Sequence, residues 1–486
     1  MSSYFTDLAQ QYIDGEWRPG TGSWDIIDFD PYDGEKLASI TIATVDEIDQ
    51  AYRAAERAQR EWAATNAFVR RAVMERALRL VEEREAEIAE AIISELGGTR
   101  VKAGFELHLA KEFLRDSIGL ATAEEGRLIP SPVPGKENRL YRVPVGVVGV
   151  VSPFNFPFLL ALKSVAPALA LGNGVVLKPH QDTPVCGGTL LAKIFEDAGL
   201  PAGVFNVVIT DIAEIGDAFI EHPVPKVISF TGSDKIGRHV ATVCASRFKR
   251  VVLELGGNSA LVVLDDADLD YAVDAAVFSR YIHQGQVCMA ANRVLVDRSV
   301  ADEFTEKFVA KVTSLKTGDP RDPETVIGPV INASQAETIS SAVEQALAEG
   351  ATALVRGTTR DNLVEPSVLT DLPAGSPLLR QELFGPVAFL IPFDGEEEAV
   401  RLVNDTPYGL SGAVHTADPE RGVRFARRID TGMFHVNDGT VNDEPLVPFG
   451  GEKDSGMGRL NGESTAEAFT SLKWISIQRG RSAFPF

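Results

Sequence analysis

Cysteine is scarce in this chain: three residues in 486, Cys186, Cys244 and Cys288, set far apart. An odd and widely spaced set argues against a disulfide framework and for a reducing compartment. No CxxC occurs and the seven histidines show no metal-ligand spacing, so no metal is expected. No apolar run is long enough to cross a membrane. The start, MSSYFTDLAQQ, has no basic stretch followed by an apolar one, so no secretion signal is expected and the cytoplasm is the expected compartment. Positive charge is also in deficit, with 47 Lys and Arg against 69 Asp and Glu and a net charge of −22. Such a surface repels phosphate backbones and anionic lipid, which sets nucleic acid and membranes aside as partners. There is no internal repeat, no GxSxG elbow and no GxxxxGK[ST] loop, so serine hydrolase and P-loop kinase readings lose support.

What is present is core. Hydrophobic residues make up 44% of a chain long enough for two or three structural units. Residues 44–63 predict a helix, with Thr44 and Glu47 as a capping box and Ile48, Tyr52, Ala55 and Trp62 near helical spacing. A longer helix is expected over 68–96, stopping at Gly97-Gly98. Proline, glycine and charge dominate 123–143, which suggests an excursion from the domain. From 145 strand and helix alternate: VGVVGVV, a helix ending at Gly172, VVLKP, a helix through Ala198, VFNVVI, a helix through His222, KVISF, a helix from about Asp234, and RVVLEL. That order predicts an α/β fold with a doubly wound, Rossmann-like parallel sheet for a nucleotide. A second α/β unit follows Gly256-Gly257, with strands ALVVL and NRVLV and helices near 300–315 and 333–349. The terminal FTSLKWISI reads as a strand that needs an edge to pair with, expected in another subunit.

Four positions have the residue types for chemistry. Cys288, in HQGQVCMAANR, is either a small buried hydrophobe or a nucleophile; its polar surroundings favour the second. Glu254 ends a buried strand before two glycines, as an ion-paired glutamate or as a base of raised pKa. Asn155, in SPFNFP, stands between strand and helix, where an amide caps the helix or donates to an oxyanion. Ser233 and the backbone at Gly232, in FTGSDKIG, open a helix that could take a phosphate, although GxGxxG is absent.

Taken together, YIDGEW (12–17), SPFNFP (152–157), PALALGNGVVLKP (167–179), FTGS (230–233), LELGGNSA (253–260), GQVC (285–288), ELFGP (382–386) and PFGGEKDSGMGR (448–459) resemble the aldehyde dehydrogenase superfamily, in its order and spacing. The resemblance implies Cys288 as nucleophile, Glu254 as the base for the deacylating water, and Asn155 with the Cys288 backbone N–H as the oxyanion hole. It implies cofactor contacts at Lys178, Gly232, Ser233, Glu382 and Phe384, with Ser152, Phe154 and Gln181 beside them. The implied chemistry is a thiohemiacetal on Cys288, hydride transfer to NAD, and hydrolysis of the remaining thioester. Many NAD-using members carry glutamate where this chain has Gln181, so NADP is admitted beside NAD. Many also carry glycine where this chain has Thr210.

The implied organisation is a cofactor domain of residues 1–122 and 145–254, a catalytic domain of 255–453, and a small β oligomerisation element of 123–144 and 454–486. A homodimer or homotetramer follows from it. A narrower likeness, through GKENRLYRVP (135–144), KPHQDTPVCGGTLL (178–191), AVFSRYIHQGQVCM (276–289) and VNDEPLVPFGG (441–451), is to bacterial vanillin and benzaldehyde dehydrogenases. It implies an aromatic aldehyde, held by Phe158, Leu162, Met289, Val441 and Phe449, with Asn442 near a ring substituent. Lys163, if it faced the funnel, would favour a carboxylated semialdehyde instead. The other readings are a CoA-acylating enzyme and a non-catalytic relative.

Overall fold

The structure, a computed structural model, describes residues 4–123 and 126–486; residues 124–125 of the expected 123–144 excursion lie outside the described residues. Its first sheet has eight strands, in the order Glu16–Arg18, Gln11–Ile13, Phe205–Val207, Gly174–Lys178, Val147–Val151, Val227–Thr231, Arg250–Glu254 and Gly456–Met457. The middle five are mutually parallel, and their β-branched runs are buried between helices on both faces. The chain enters at Val147–Val151, winds outward to Phe205–Val207, then crosses back to Val227–Thr231 on the other side. The crevice of a doubly wound sheet opens where that direction reverses. Here the reversal lies between Val147–Val151 and Val227–Thr231, so the loops after them, holding Asn155 and Ser233, diverge around one crevice.

The second sheet has seven strands: Thr352–Val355, Ser367–Thr370, Val387–Phe393, Ala291–Asp297, Ser259–Val263, Gly412–His415 and His435–Val436. All its pairings are parallel except the outermost at Thr352–Val355. Glu254 ends the last parallel strand of the first sheet, and Ser259 begins the second after Gly256-Gly257. A Cβ on Gly257 would strike the Cys288 carbonyl, so the absence of a side chain lets the two sheets' ends meet at the nucleophile.

A third sheet is antiparallel, with Lys136–Pro144 between Gly126–Ile129 and Thr470–Gln478. The terminal strand therefore finds its partner edge within its own chain, running from Thr470 opposite Pro144 to Gln478 opposite Lys136. Its outer edge has no strand partner among the described residues, and Leu472, Trp474 and Ile475 are exposed. The neighbouring Gly456–Met457, from the same final stretch of chain, closes the first sheet instead.

Several helices depart from expectation. The 44–63 helix forms as Val45–Ala64, with Glu47 Oε2 accepting from the Thr44 N–H at 3.0 Å and Trp62 Nε1 donating to the Leu169 carbonyl at 2.8 Å. The 68–96 helix is two, Ala67–Glu83 and Glu85–Leu96. At Arg84 the backbone leaves helical geometry and the guanidinium pairs with Asp197 at 2.7 Å. The helix through His222 is also two short ones, Ile212–Ile215 and Ala218–Glu221, divided by Gly216 at φ +51°. The 21-residue helix Arg100–Leu120 has no counterpart in the sequence reading. It packs on Pro157–Ala170 and buries Leu107, Ala110 and Leu114 in the core, while its exposed positions are mostly polar.

Candidate active site

Every residue named above for catalysis or cofactor binding lines one cleft of about 570 Å³ at the sheet's reversal point. Ser152, Phe154 and Asn155 follow the Val147–Val151 strand, Lys178 ends Gly174–Lys178, and Gly232 and Ser233 follow Val227–Thr231. Cys288 reaches the same space from the second sheet, two residues before Ala290 turns into Ala291–Asp297.

The turn before Cys288 is strained. His283, Gln284 and Gly285 all have positive φ, and two of them carry side chains that disfavour it, at roughly 1–3 kcal/mol each. Buried hydrogen bonds hold it: Gln284 Nε2 donates to the Pro329 and Gly97 carbonyls at 2.7 and 3.1 Å, and Gln286 Oε1 accepts from the Ile331 N–H at 3.0 Å. Asn155 Nδ2 donates to the Gln286 carbonyl at 3.0 Å, which ties the amide to the loop carrying the nucleophile. Arg280 Nη1 braces the far side through Asn292 Oδ1 at 2.7 Å.

Burial dominates the titration of the site. The Cys288 thiol is pushed up to about 12, by desolvation first and then by the Glu382 and Glu254 carboxylates; Lys163 pulls the other way. Desolvation raises Glu254 to about 8, with Lys163 and Arg459 opposing and Asp443 adding to the rise. Neither Glu254 oxygen has a hydrogen-bond partner among the described residues. In the chain by itself, burial therefore favours the undissociated thiol and the protonated carboxyl.

The cofactor side fits a dinucleotide. Lys178 is half-buried, with desolvation lowering it to about 8, and its hydrogen bond among the described residues, to the Pro179 carbonyl, is 3.5 Å long. A desolvated ammonium with so little to donate to is a ready donor for sugar hydroxyls. Glu382 Oε1 accepts from the Gly257 N–H at 2.9 Å, and a Cβ on Gly256 would come within 2.7 Å of that carboxylate. Phe154 and Phe384 meet edge to face at 5.9 Å. Ser233 caps the helix Asp234–Ser246. The Gly232 N–H is already given to the Glu254 carbonyl at 3.0 Å, so a phosphate would meet Ser233 and the helix's first turn rather than the Gly232 N–H. Ile215, Phe219, Ile236 and Val240 form an apolar wall that the sequence reading missed; the i, i+4 spacing of Ile236 and Val240 was its signal. Gln181 lines the cleft, whereas Thr210 does not: its hydroxyl donates to the Ala43 carbonyl at 2.7 Å and anchors the loop to the first long helix.

The five residues expected to hold the aldehyde do not line this cleft. Phe158 and Leu162 do share a helix face, but it is the core face of Pro157–Ala170, and both are wholly inaccessible. Leu160, on another face, borders the cleft. Met289, Val441 and Phe449 are buried around the nucleophile loop, with the Thr440 hydroxyl donating to the Met289 carbonyl at 2.7 Å. Asn442 donates to Asp438 at 3.1 Å, and Lys163 is taken up by Asp443, at 2.6 Å.

The sequence model of the aldehyde dehydrogenase family matches residues 17–475. A benzaldehyde dehydrogenase of Bacillus subtilis is 55% identical over 482 residues, covering 99% of both chains. A vanillin dehydrogenase of Corynebacterium glutamicum is 48% identical, covering 97% of this chain and 98% of its own. The crystal structure of an NAD-dependent benzaldehyde dehydrogenase from C. glutamicum superposes with a TM-score of 0.89 at 45% identity, over 97% of this chain and 98% of that one.

Proposed function

This chain belongs to the aldehyde dehydrogenase family, and from that premise we propose that it oxidises an aromatic aldehyde of the benzaldehyde or vanillin type to the carboxylic acid. The observation that carries the reading is the meeting of Cys288, Glu254 and Asn155 at one end of a cleft whose other end offers Lys178, Ser233 and Glu382.

The residues divide the work as follows. The Cys288 sulfur adds to the aldehyde carbon as its proton passes to solvent water, leaving a thiohemiacetal anion whose oxygen takes hydrogen bonds from Asn155 Nδ2 and the Cys288 N–H. Bound NAD or NADP would supply a positive ring and accept the hydride, so that a thioester would remain on Cys288. Glu254, as the carboxylate, takes a proton from water, whose oxygen attacks the thioester; the acid leaves and Cys288 is restored. Because Glu254 ionises only near pH 8, hydrolysis should climb through that range. Lys178 would hold the ribose next to the adenine, Ser233 the pyrophosphate, and Glu382 with Phe384 the nicotinamide end.

We assign residues 1–122 and 145–254, closed by the Gly456–Met457 strand, to the cofactor, 255–453 to the nucleophile and its supports, and 123–144 with the Thr470–Gln478 strand to assembly. The three-stranded sheet supports this last role, because its outer edge has no strand partner among the described residues and carries exposed Leu472 and Trp474. The assembly is a homodimer or a pair of dimers. The compartment is the cytoplasm, in keeping with three free thiols and with no described helix long and apolar enough to cross a membrane.

Two other reactions are less well supported. A CoA-acylating enzyme has no use for a buried base at Glu254, and a carboxylated aldehyde would meet a Lys163 already neutralised by Asp443. The test is kcat/KM for benzaldehyde and vanillin against acetaldehyde and succinic semialdehyde, with NAD or NADP and with or without CoA. The aromatic pair should win and CoA should change nothing; a clear win for either other aldehyde, or a requirement for CoA, would overturn the reading.

A further inference from the structure

Arg280 and Arg293 are both buried, and among the described residues neither has a carboxylate in ion-pair contact. Arg293 donates to the Leu402, Asn258 and Val403 carbonyls at 2.7, 2.9 and 3.1 Å and ties its strand to the helix Gly395–Asn404. Arg280 ends elsewhere, on the loop that carries Glu382 and Phe384. Its Nη2 donates to the Leu383 carbonyl at 2.7 Å and to the Gly385 carbonyl, and its Nη1 to Asn292 Oδ1 at 2.7 Å. Desolvation lowers the guanidinium to about 10, and its Nε has no partner among the described residues. Burying a charge with no opposite charge beside it lowers stability, and an apolar side chain could fill the same space. A guanidinium at this place therefore calls for a use.

Its location supplies one. Arg280 lies in the last turn of the helix Leu269–Tyr281, directly before the strained turn at His283 to Gly285 that leads to Cys288. At Gly285 that turn touches the other loop: a Cβ there would fall 2.3 Å from the Gly385 carbonyl oxygen and 2.8 Å from Arg280 Nη2. The Leu383 N–H shares Asn292 Oδ1 with Arg280, at 3.3 Å, and Gln335 Nε2 donates to the Phe384 carbonyl at 2.8 Å. Each carbonyl from Leu383 to Gly385 is thus held by a side chain, two of them by Arg280, while Glu382 and Phe384 line the cleft. The charge of Arg280 also acts on Glu382. Desolvation raises that carboxyl to about 7, the Gly257 N–H and Arg280 oppose the rise, and Asp234 adds to it.

We propose that Arg280 is a positioning residue for hydride transfer: it clamps the loop of Glu382 and Phe384 against the turn at Gly285, and so sets the nicotinamide end of the cofactor against Cys288. This rests on the reading of Glu382 and Phe384 as nicotinamide contacts and adds the residue that spaces them from the nucleophile. Arg280 itself touches neither substrate nor cofactor. The clamp needs a planar fork, because one Nη2 must serve two carbonyls while Nη1 reaches Asn292. A lysine ammonium is a point charge on a flexible stem and cannot hold all three. Hydride transfer is the step that depends on this spacing, since a displacement of about 1 Å between reacting groups costs on the order of 10²-fold. Deacylation depends on it less. Glu254 is carried by the first sheet, whereas the clamped loop leads into the second at Val387.

The experiment compares the wild type with Arg280→Lys and Arg280→Met in three assays. Stopped flow with saturating NAD and benzaldehyde measures first-turnover NADH formation. Hydrolysis of 4-nitrophenyl acetate without cofactor measures the nucleophile alone: Cys288 displaces 4-nitrophenolate, and water activated by Glu254 clears the acetyl group. Calorimetry gives the Kd of NAD. Arg280→Met should slow first-turnover NADH formation about 10- to 100-fold, with Arg280→Lys in between. Ester hydrolysis should stay within about twofold of wild type and the Kd within about threefold, because Lys178 and Ser233 hold the other half of the cofactor. The slowed step should carry a primary isotope effect from C1-deuterated benzaldehyde. Equal losses in NADH formation and ester hydrolysis would make Arg280 a prop for the nucleophile turn and overturn the proposal, as would slowing without an isotope effect. Should the Arg280 variants not fold, Gln335→Ala decides, because it frees the Phe384 carbonyl of the same loop. It should slow NADH formation severalfold and spare ester hydrolysis, and no such split overturns the proposal. A wild type that hydrolyses the ester but does not bind NAD would remove the cofactor reading itself; Arg280 variants that match a wild type active with NAD would remove only the clamp.

Discussion

The two walls around Cys288 are built by different means. The cofactor wall is made from the ends of parallel strands, where short motifs in sequence order, SPFN, VVLKP, FTGS and LELGG, arrive together because the sheet is doubly wound. The packing behind the nucleophile loop is made from side chains far apart in sequence, Lys163 with Asp443 and Phe449 and Thr440 with Met289, whose meeting depends on how a helix and a late loop pack. Local order specifies the first wall and tertiary packing the second, so chemistry can be common to a whole family while substrate choice varies within it.

The largest effect should come at the point shared by both walls. Cys288→Ala is expected to abolish aldehyde oxidation while NAD still binds with a Kd within about twofold of wild type, read by calorimetry, because the cofactor contacts lie on the other wall. Asn155→Ala should lower kcat by about 10²–10³, the cost typical of losing one oxyanion donor, with little change in NAD affinity.

The helix between the walls offers a sharper division. Phe158→Ala should destabilise the protein by about 3–5 kcal/mol in denaturant titration, since it empties a wholly buried site, yet leave kcat/KM per folded molecule nearly unchanged. Leu160→Ala should do the reverse, changing KM for the aldehyde at a stability cost below about 1.5 kcal/mol, because Leu160 is only partly buried. If Phe158→Ala alters substrate preference, the assignment of that face to the core is wrong.

The smallest effect is expected at the cofactor wall's rim. Gln181→Glu places a carboxylate in the cleft and should lower kcat/KM for NADP about tenfold relative to NAD, by like-charge repulsion of a 2′-phosphate. An unchanged ratio would move cofactor choice to another residue.

These residues also mark where the sequence was legible. Strand–turn–helix units carry their functional residues at fixed offsets, so Asn155, Lys178, Ser233 and Glu254 could be placed from local pattern and family likeness. Phe158 and Leu162 illustrate the limit: the i, i+4 pattern established that they share a face but not what that face meets, and the hydrophobic core claimed it. The helix Arg100–Leu120 itself went unread because only one side of it is apolar and its first turns, RVKAGFELH, mix charge with glycine. The breaks at Arg84 and Gly216 were hidden for a related reason, since a salt bridge to Asp197 and a single positive φ leave no mark on hydrophobic periodicity. Lys163 was noticed, but its partner lay 280 residues away.

The central claim is that Cys288 forms an acyl intermediate which Glu254 clears, and Glu254→Gln tests it most directly. Mixed with NAD and benzaldehyde, this variant should release about one NADH per active site and then stall, and mass spectrometry should find one benzoyl group on the peptide that holds Cys288. The wild type should show no such accumulation above pH 8, where Glu254 is ionised, and slower clearance as pH falls below it. A variant that loses burst and turnover together, or an acyl group on any other residue, would contradict the account.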